Sequence, residues 1–356
     1  MNLRDQLQRR LGGAYTLHEE LGGGGMSRVF VAEEISLGRR VVVKVLPPEL
    51  TGGVNIERFH REILMAAKLQ HPHIVPVLSA GELDGLPYYT MPLVEEQSLR
   101  SRLNESGALP LAETIGILGD VAKALAYAHA HGIVHRDIKP DNVLVCGAAA
   151  LVTDFGIAKA LADARRGTAG ATLTTDGMAM GTPAYMAPEQ AAADPDMDHR
   201  ADMYAFGCMA YELLTGHPPF VNSSPRKLLS AQLSERPRPV RELRADMSPG
   251  LAALVMRCLE KDPADRPQQA TEIVRVLDSM ASGEQPTAPW SPVRPRTPRT
   301  SLGRALAIYC LAFIPVAVLA EGSIVALRLP GWVLMVVLGV MVLALPVTVA
   351  KMRATR

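Results

Sequence analysis

Cysteine is scarce in this chain of 356 residues, which contains only four. The four are far apart in the sequence: Cys146, Cys208, Cys258 and Cys310. No C-x-x-C pair occurs, and no cysteine has a partner at metal-ligand spacing. This distribution argues against a structural zinc site and against a disulfide framework, and it favours reduced thiols in a cytosolic core.

An excess of charge of one sign is also missing. The sequence has 37 Lys and Arg against 36 Asp and Glu, a formal net charge of +1. Nucleic-acid binding requires a basic face or stripe, so we expect no nucleic-acid partner. Residues 1–11 contain arginines but no apolar run of signal-peptide length, so we expect no export of the segment that follows. The length allows about two domains, or one large bilobal domain with additional segments.

The most informative stretch is HGIVHRDIKPDNVL, residues 131–144. It places a carboxylate, a lysine and an asparagine close together, at Asp137, Lys139 and Asn142. Phosphoryl transfer from a metal-bound nucleotide uses these three groups on one loop. A salt-bridged turn is the alternative interpretation of this stretch taken alone, so the motifs elsewhere in the chain decide between the two.

Four further motifs accompany this stretch. Residues 21–29, LGGGGMSRV, form a glycine cluster, which lets backbone N–H groups approach phosphate oxygens. Residues 41–44, VVVK, read as a strand that ends in a lysine. Residues 151–156, LVTDFG, bring a second carboxylate seventeen residues after Asp137, the distance for a hairpin that returns to the same cleft. Residues 181–189 are GTPAYMAPE.

In order and spacing, these motifs resemble those of bacterial eukaryotic-like (Hanks-type) serine/threonine protein kinases, over residues 15 to about 280. One position departs from the family pattern G-x-G-x-x-G-x-V: Gly22, Gly24 and Val29 match, but Ser27 stands where the third glycine is usual. The resemblance implies an α+β, bilobal protein kinase fold. Its β-rich lobe, with five strands, would span residues 15–91, and its helical lobe would span residues 95–280.

The resemblance also implies roles for individual residues. Asp137 would accept the proton of a protein hydroxyl, and Lys139 would neutralise the phosphoryl group in transfer. Asn142 and Asp154 would bind Mg²⁺. Contacts with ATP are implied for Leu21, Gly22, Gly23, Gly24, Gly25, Met26, Ser27, Val29, Val42, Lys44, Glu62, Met91, Pro92, Val94 and Leu144. Among these, Lys44 would bind the phosphates and pair with Glu62.

Other expectations concern support and regulation. Asp202 would hold the backbone of the loop that carries Asp137, Arg266 would be the buried partner of Glu189, and Thr182 would hydrogen-bond Asp137 and Lys139. Helices are predicted at residues 3–11, 57–69 and 111–131 from their apolar periodicity. Three loop threonines are candidate phosphorylation sites that Arg136 would bind once phosphorylated: Thr172, Thr174 and Thr175.

The last part of the sequence differs in composition from the rest. Residues 281–304 are rich in proline and arginine, which predicts a stiff linker. Two apolar blocks follow, residues 305–320 and 332–350, each near the ~20 residues that a bilayer span requires. Basic residues flank the pair, including the tail 351–356, so we expect a transmembrane helical hairpin in the bacterial cytoplasmic membrane with the kinase domain in the cytoplasm.

Two other functions remain open at this point. A pseudokinase that acts as a membrane scaffold would keep the fold and lose a catalytic group, whereas Lys44, Asp137, Asn142 and Asp154 are all present. A small-molecule phosphotransferase would share the lobes and the magnesium site, but this class generally lacks a lysine like Lys139 and a segment like residues 181–189. For a protein kinase, the expected partners are proteins with Ser/Thr acceptors, and a homodimer would allow one copy to phosphorylate another.

Overall fold

The structure is a computed structural model that describes residues 3–22, 27–46, 56–83, 85–156 and 183–282. The chain divides into two compact units, residues 1–292 and 293–356, and all described residues belong to the first. Several predicted features therefore lie outside the described residues: Gly23, Gly24, Gly25 and Met26, the loop threonines Thr172, Thr174 and Thr175, Thr182, and everything from residue 283 onward.

The first part of the chain forms a five-stranded antiparallel sheet with the order β1-β2-β3-β5-β4. Its strands are β1 (Tyr15–Gly22), β2 (Arg28–Glu34), β3 (Arg39–Val45), β4 (Ser79–Leu83) and β5 (Leu86–Pro92). The alternation along β3 separates two apolar clusters, because Val41 and Val43 lie in one and Val42 lies in the other. The predicted five-stranded lobe is confirmed.

Helix α1 (Leu3–Leu11) packs on this sheet. Its Leu7 and Leu11 are buried in one cluster with Phe30 and Val41, as the four-residue spacing of its leucines predicts. Helix α2 (Ile56–Ala66) ends three residues before the predicted end at residue 69. The chain tightens there into bonds that span three residues, from the Leu69 amide to the Ala66 carbonyl for example.

The remaining helices form the second lobe. They are α3 (Leu99–Ser106), α4 (Leu111–Ala130), α5 (Pro188–Ala191), α6 (Arg200–Thr215), α7 (Pro225–Ser234), α8 (Val240–Leu243), α9 (Pro249–Cys258) and α10 (Ala270–Ala281). Helix α6 is buried along nearly its whole length and forms the centre of the lobe. A Cβ placed on Gly207 of α6 would lie 2.7 Å from the Cβ of Cys258, so α9 packs closely against α6 at this glycine.

The cysteines partly follow the prediction of buried thiols. Cys208 and Cys258 are free and buried in the core around α6, and burial raises the pKa of the Cys258 thiol to about 12. Cys146 is an exception, because it lies at the end of a short hairpin strand and is partly exposed. The prediction that it is a core thiol is wrong, and Cys310 lies outside the described residues.

A two-stranded hairpin, β6 (Val143–Cys146) with β7 (Ala149–Val152), lies between α4 and α5 in the sequence. A short 3₁₀ turn, Pro140–Asn142, leads into β6. The antiparallel pairing of Val143 with Val152 brings the residue before β6 beside the residue after β7. This hairpin therefore places Asn142 next to Thr153 and Asp154.

Within the part of the chain that the structure describes, no helix combines the length and the apolarity needed to cross a bilayer. The two apolar blocks of the sequence, residues 305–320 and 332–350, lie outside that part. The transmembrane hairpin stays a prediction.

Candidate active site

Residues 135–142 form the loop that carries Asp137, and a buried carboxylate from helix α6 holds its backbone. Asp202, which is fully buried, accepts hydrogen bonds from the backbone N–H of His135 at 2.8 Å and from that of Arg136 at 2.7 Å. The Nε2 atom of His129 on α4 lies 2.8 Å from the same carboxylate. Asp202 thus ties α4, α6 and the 135–142 loop together, and its predicted role is confirmed.

The charge of Asp202 is maintained by these partners. Burial alone would raise the pKa of the carboxyl group. The hydrogen bond and the electrostatic attraction from His129, together with the hydrogen bond from the Arg136 amide, outweigh burial, so the pKa is below its usual value. Asp202 is therefore ionised, and an ionised carboxylate accepts stronger hydrogen bonds from the loop amides than a neutral group would.

His135 is a second support inside the 135–142 loop. Its Nδ1 accepts a hydrogen bond from the Asp137 backbone N–H at 3.2 Å, and its Nε2 therefore donates to the Thr153 carbonyl at 2.9 Å. The ring is completely buried and contacts the edge of Phe155 with ring centroids 4.7 Å apart. The histidine therefore orders Asp137 relative to residues 153–155.

Asp137, Lys139 and Asn142 form one hydrogen-bonded group. The Nζ atom of Lys139 lies 2.8 Å from Oδ2 of Asp137. The amide nitrogen of Asn142 donates to the same Oδ2 at 2.9 Å and to the Asp137 carbonyl at 2.7 Å. Among the described residues, both donors to this carboxylate use Oδ2, so Oδ1 of Asp137 can accept a proton and the amide oxygen of Asn142 can accept a cation.

The backbone adopts two strained conformations in this region. Arg136 has a φ of +67° and Asp154 has a φ of +66°, and both lie in the left-handed region that non-glycine residues rarely occupy. Strain of this kind persists only where the surroundings hold the chain, and it clusters at functional sites. Here the Arg136 amide is held by Asp202, and the Asp154 side chain is held by the sheet.

The carboxylate of Asp154 is bound from the β-sheet side. Lys44 Nζ lies 2.6 Å from its Oδ2, and the Tyr89 hydroxyl donates to its Oδ1 at 2.8 Å. Burial would raise the pKa of Asp154, but the Lys44 charge and the two hydrogen bonds lower it below its usual value. Burial, followed by the charge of Asp154, raises the pKa of Tyr89 well above its usual value, so this hydroxyl stays protonated and donates.

The predicted ion pair between Lys44 and Glu62 stays a prediction. Glu62 is half-buried on α2, and the ion pair that Lys44 forms in this structure is with Asp154. Helix α2 nevertheless lies next to the segment that follows Asp154, because a Cβ placed on Gly156 would lie 3.5 Å from the Cβ of Ala66.

Five of the apolar residues implied to contact ATP lie in one cluster. Val42 and Met91 are buried there with Val75, and the partly buried members are Val29, Leu93, Val94, Leu144 and Leu151. Met91 lies opposite Val42 in the register of β3 and β5, and its sulfur accepts a hydrogen bond from the Thr153 hydroxyl at 3.3 Å. Ser27 and Pro92 are half-buried, whereas Leu21 is 55% exposed and Gly22 ends β1.

Beyond residue 182, a buried ion pair anchors helix α5. Arg266 is fully buried, and its two terminal guanidinium nitrogens donate to the Glu189 carboxylate at 2.6 and 2.7 Å. This pair confirms the predicted partnership. Gln190 next to it donates to the Arg136 carbonyl at 2.9 Å, so α5 is joined directly to the 135–142 loop.

Two residues of this site, Tyr89 and Arg100, were not predicted from the sequence. Tyr89 has a signal in the sequence, because strand alternation places it on the same face as Met91, two residues later. Arg100 on α3 has no such signal in the sequence. It binds the buried Glu212 at 2.7 Å and also contacts the Tyr185 hydroxyl, and these three residues come from segments that are far apart in the chain.

The family model described as "Protein kinase domain" matches residues 15–276. The chain belongs to the protein kinase family. Its kinase domain contains the whole site described above, from the β1–β2 segment to Arg266.

Similar proteins are bacterial serine/threonine kinases. The serine/threonine-protein kinase PknB of Mycolicibacterium smegmatis is 40% identical over 287 residues, which cover 79% of this chain and 45% of the relative. A probable serine/threonine-protein kinase of Streptomyces coelicolor is 39% identical over 282 residues, which cover 78% of this chain and 41% of the relative. The chain thus spans less than half the length of these curated relatives.

A solved structure has the same fold. The crystal structure of Rad53 1-466 in complex with AMP-PNP aligns with a TM-score of 0.59 and 26% sequence identity, covering 78% of this chain and 69% of that chain. The likeness extends over both lobes of the kinase domain, in agreement with the predicted bilobal architecture.

Proposed function

We propose that this chain is a serine/threonine protein kinase that transfers the γ-phosphoryl group of ATP to hydroxyl groups of proteins. The observation that carries the proposal is the joined arrangement of Asp137, Lys139 and Asn142, with Asp154 and Lys44 beside them across the Asn142–Thr153 contact. These groups match the template for phosphoryl transfer, in which positioning and charge neutralisation provide most of the catalysis.

The donor atoms fit magnesium and a nucleotide. Mg²⁺ prefers oxygen ligands, usually one or two carboxylates together with phosphates. Asp154 supplies carboxylate oxygens, and Asn142, whose nitrogen is engaged by Asp137, supplies its amide oxygen. The apolar cluster around Val42 and Met91 suits the adenine ring, and the similar Rad53 structure was solved in complex with AMP-PNP. When bound, the magnesium ion would neutralise the charge of the phosphates.

The protein side chains would then divide the work. Asp137 would take the proton of the acceptor hydroxyl at Oδ1, the oxygen that neither Lys139 nor Asn142 engages. Lys139 would neutralise the transferred group. Lys44 would move away from Asp154 and bind the α- and β-phosphates. A protein acceptor is favoured over a small molecule for two reasons. Lys139 is present, and helix α5, which begins within the 181–189 motif, is joined to the 135–142 loop by the hydrogen bond from Gln190.

Autophosphorylation would switch the enzyme on. The Nε atom of Arg136 is buried and lacks a hydrogen-bond partner within the described part of the chain, and a phosphate would satisfy it. The acceptors would be Thr172, Thr174 or Thr175, either within one copy or between two copies of a homodimer. Mass spectrometry should find loop phosphate on active protein only. Full activity of a protein with all three threonines changed to alanine would contradict this switch.

The apolar blocks 305–320 and 332–350 would anchor the kinase in the cytoplasmic membrane as a hairpin, with the kinase domain inside. Basic residues before and after the pair support this orientation. Alkaline phosphatase fused within residues 322–330 should be active, because it would lie outside, whereas a fusion after residue 356 should be inactive. The reverse pattern would refute the hairpin.

The proposed activity is tested with radiolabelled ATP and a generic protein acceptor. Wild type should label serine and threonine, and Asp137→Asn should lower the rate by ~100-fold or more, because the proton acceptor is lost. Asp246→Asn is the matched control, since that aspartate is exposed in the helical lobe and should leave the rate unchanged.

Two results would contradict the proposal. No labelling of any protein by the wild type would indicate a pseudokinase scaffold, provided that the protein is folded. Labelling of a small-molecule acceptor in place of protein would indicate a phosphotransferase of that class.

A further inference from the structure

Tyr89 is a buried hydroxyl that the proposed reaction does not use, and it lies at the centre of the site. It donates to Oδ1 of Asp154 at 2.8 Å, while Lys44 binds Oδ2 at 2.6 Å. Both oxygens of the carboxylate are therefore bound by side chains of the sheet. Asp154 is the carboxylate assigned to magnesium above, so the inference that follows rests on the proposed function.

The sheet register explains why the two donors act together. In the pairing of β3 with β5, Tyr89 lies directly opposite Lys44, so both side chains project from the same face at neighbouring positions. In the pairing of β4 with β5, Tyr89 lies opposite Ala80, so β5 is a central strand with a paired strand on each side of Tyr89. The pairing of β5 on both sides holds this part of the strand in place.

Packing also fixes the tyrosine ring. Tyr89 is 3% exposed and belongs to a cluster with Leu46, Phe59 and Ile63, the last two from helix α2. Few rotamers are open to a ring that is enclosed in this way. The hydroxyl is therefore a donor of set position, unlike the end of the flexible Lys44 side chain.

Strand β5 also contacts Thr153, the residue before Asp154. The Thr153 hydroxyl donates to the sulfur of Met91 at 3.3 Å, two residues after Tyr89 on the same face of the strand. Two successive inward side chains of β5 thus contact two successive residues, Thr153 and Asp154. Through them the strand holds the segment where the backbone of Asp154 has its unusual φ of +66°.

A carboxylate can accept more than these two bonds. Each oxygen has two acceptor positions, so Tyr89 and Lys44 occupy one on each and leave one on each for a cation. A hydrogen bond to a ligating carboxylate orients the ligand, and loss of such a bond commonly lowers metal affinity by 10–100-fold.

We propose that Tyr89 is a positioning residue for the magnesium-binding carboxylate: its hydroxyl holds Asp154 in the orientation in which it binds the cation. Lys44 can move from Asp154 to the phosphates of a bound nucleotide. Tyr89 stays in place, since the sheet and the side chains of Leu46, Phe59 and Ile63 enclose it. The tyrosine then remains the group that keeps the carboxylate aligned.

Tyr89→Phe tests this role, because the variant keeps the ring and its packing and loses only the hydroxyl. The primary measurement is calorimetric binding of ADP to the purified 356-residue chain, with Mg²⁺ and with EDTA. The factor by which Mg²⁺ strengthens ADP binding should fall by ~10-fold, while the affinity for ADP in EDTA stays within about twofold of wild type. In the phosphorylation assay, the Mg²⁺ concentration for half-maximal rate should rise by a similar ~10-fold.

Tyr88→Phe is the matched control. Tyr88 is the adjacent tyrosine on the opposite face of β5, and it packs against the cluster that contains Leu7 and Leu11 of α1. This variant should bind ADP and Mg²⁺ as the wild type does. An unchanged Mg²⁺ effect in Tyr89→Phe would overturn the proposal, since the ring would then only fill space. A strengthened Mg²⁺ effect would also overturn it, since the hydroxyl would then compete with the cation.

The binding measurement separates this inference from the proposed function. Wild type that phosphorylates no protein but binds ADP more tightly with Mg²⁺ would contradict the kinase activity alone. Wild type that phosphorylates protein, together with an unchanged Mg²⁺ effect in Tyr89→Phe, would contradict the role of Tyr89 alone.

Discussion

The two sides of the site are held in place by different means. On the helical side, the 135–142 loop is held through its backbone amides by one buried carboxylate, Asp202, from a helix more than sixty residues away in the sequence. On the sheet side, Asp154 is held through its side chain by Lys44 and Tyr89, which the strand register places next to each other.

This difference predicts different consequences of mutation. Support through backbone amides positions the whole 135–142 loop, so its loss should affect both the fold and the rate. Support through one side chain positions a single carboxylate, so its loss should affect the binding of metal and nucleotide more than the fold. Substitutions on the two sides should separate these two effects.

Asp202→Ala should have the largest effect, because it leaves the His135 and Arg136 amides and His129 without their acceptor in a buried site. Removal of one partner from such a buried charged network costs about 3–5 kcal/mol of the free energy of unfolding. The misplaced loop should lower the phosphorylation rate by ~100-fold. Urea unfolding and the phosphorylation assay measure the two effects.

Asp198→Ala is the control for this experiment. That partly exposed aspartate lies just before α6, where its carboxylate accepts hydrogen bonds from the backbone N–H and the guanidinium group of Arg200. Asp202→Asn should be milder than Asp202→Ala, since it keeps one acceptor oxygen. Equal stability of Asp202→Ala and wild type would show that the amides do not need this carboxylate.

Lys44→Met should have a smaller effect on folding and a clear effect on the nucleotide. A charge-assisted hydrogen bond contributes about 1.5–3 kcal/mol, so nucleotide affinity should fall by ~10–100-fold. Lys68→Met is the control, because Lys68 is exposed near the end of α2. Loss of folding stability as large as that of Asp202→Ala would remove the distinction between the two sides.

Lys261→Met should have the smallest effect on the site, because this lysine lies in the helical lobe away from it, and its expected effect is on the pH dependence of stability. Burial lowers the pKa of Lys261 to about 8 from its usual 10.5, although its Nζ donates to the Gln232 carbonyl at 2.7 Å. Between these two pH values the unfolded chain binds more protons than the folded chain, so Lys261 makes stability rise with pH. The rise should be smaller in Lys261→Met than in wild type.

Urea unfolding at pH 7.5 and pH 10 measures this difference. Lys123→Met is the control, because Lys123 is 40% exposed and pairs with Asp278 at the surface. A Lys261→Met protein with the same pH dependence as wild type would show that the lysine titrates normally.

The sequence predicted the two sides unequally. The positions of Asp202, Glu189 and Arg266 followed from motifs, because each role belongs to a fixed place in the family pattern. The Tyr89–Asp154 contact did not, since it depends on the register of β3 with β5 and on a hairpin that returns Asp154 from 65 residues away. The Arg100–Glu212 contact, which spans 112 residues, was missed for the same reason. Local periodicity contains no information about such distances.

Helix ends were predicted less well than helix positions. Helix α4 ends at Ala130 and not at residue 131, and α2 ends at Ala66 because its last turn tightens. Apolar spacing identifies which face of a helix is buried, but the end depends on hydrogen bonds made by residues outside the periodic pattern.

The central claim is that Asp137 serves the acceptor hydroxyl and Asp154 serves the metal-bound nucleotide. Calorimetric binding of ADP with Mg²⁺ to Asp137→Asn and to Asp154→Asn, beside the phosphorylation assay, tests it most directly. We expect Asp137→Asn to lose ~100-fold or more in rate and to keep wild-type ADP affinity, and Asp154→Asn to lose both. Equal loss of ADP affinity in the two variants, or a near wild-type rate in Asp137→Asn, would contradict the claim.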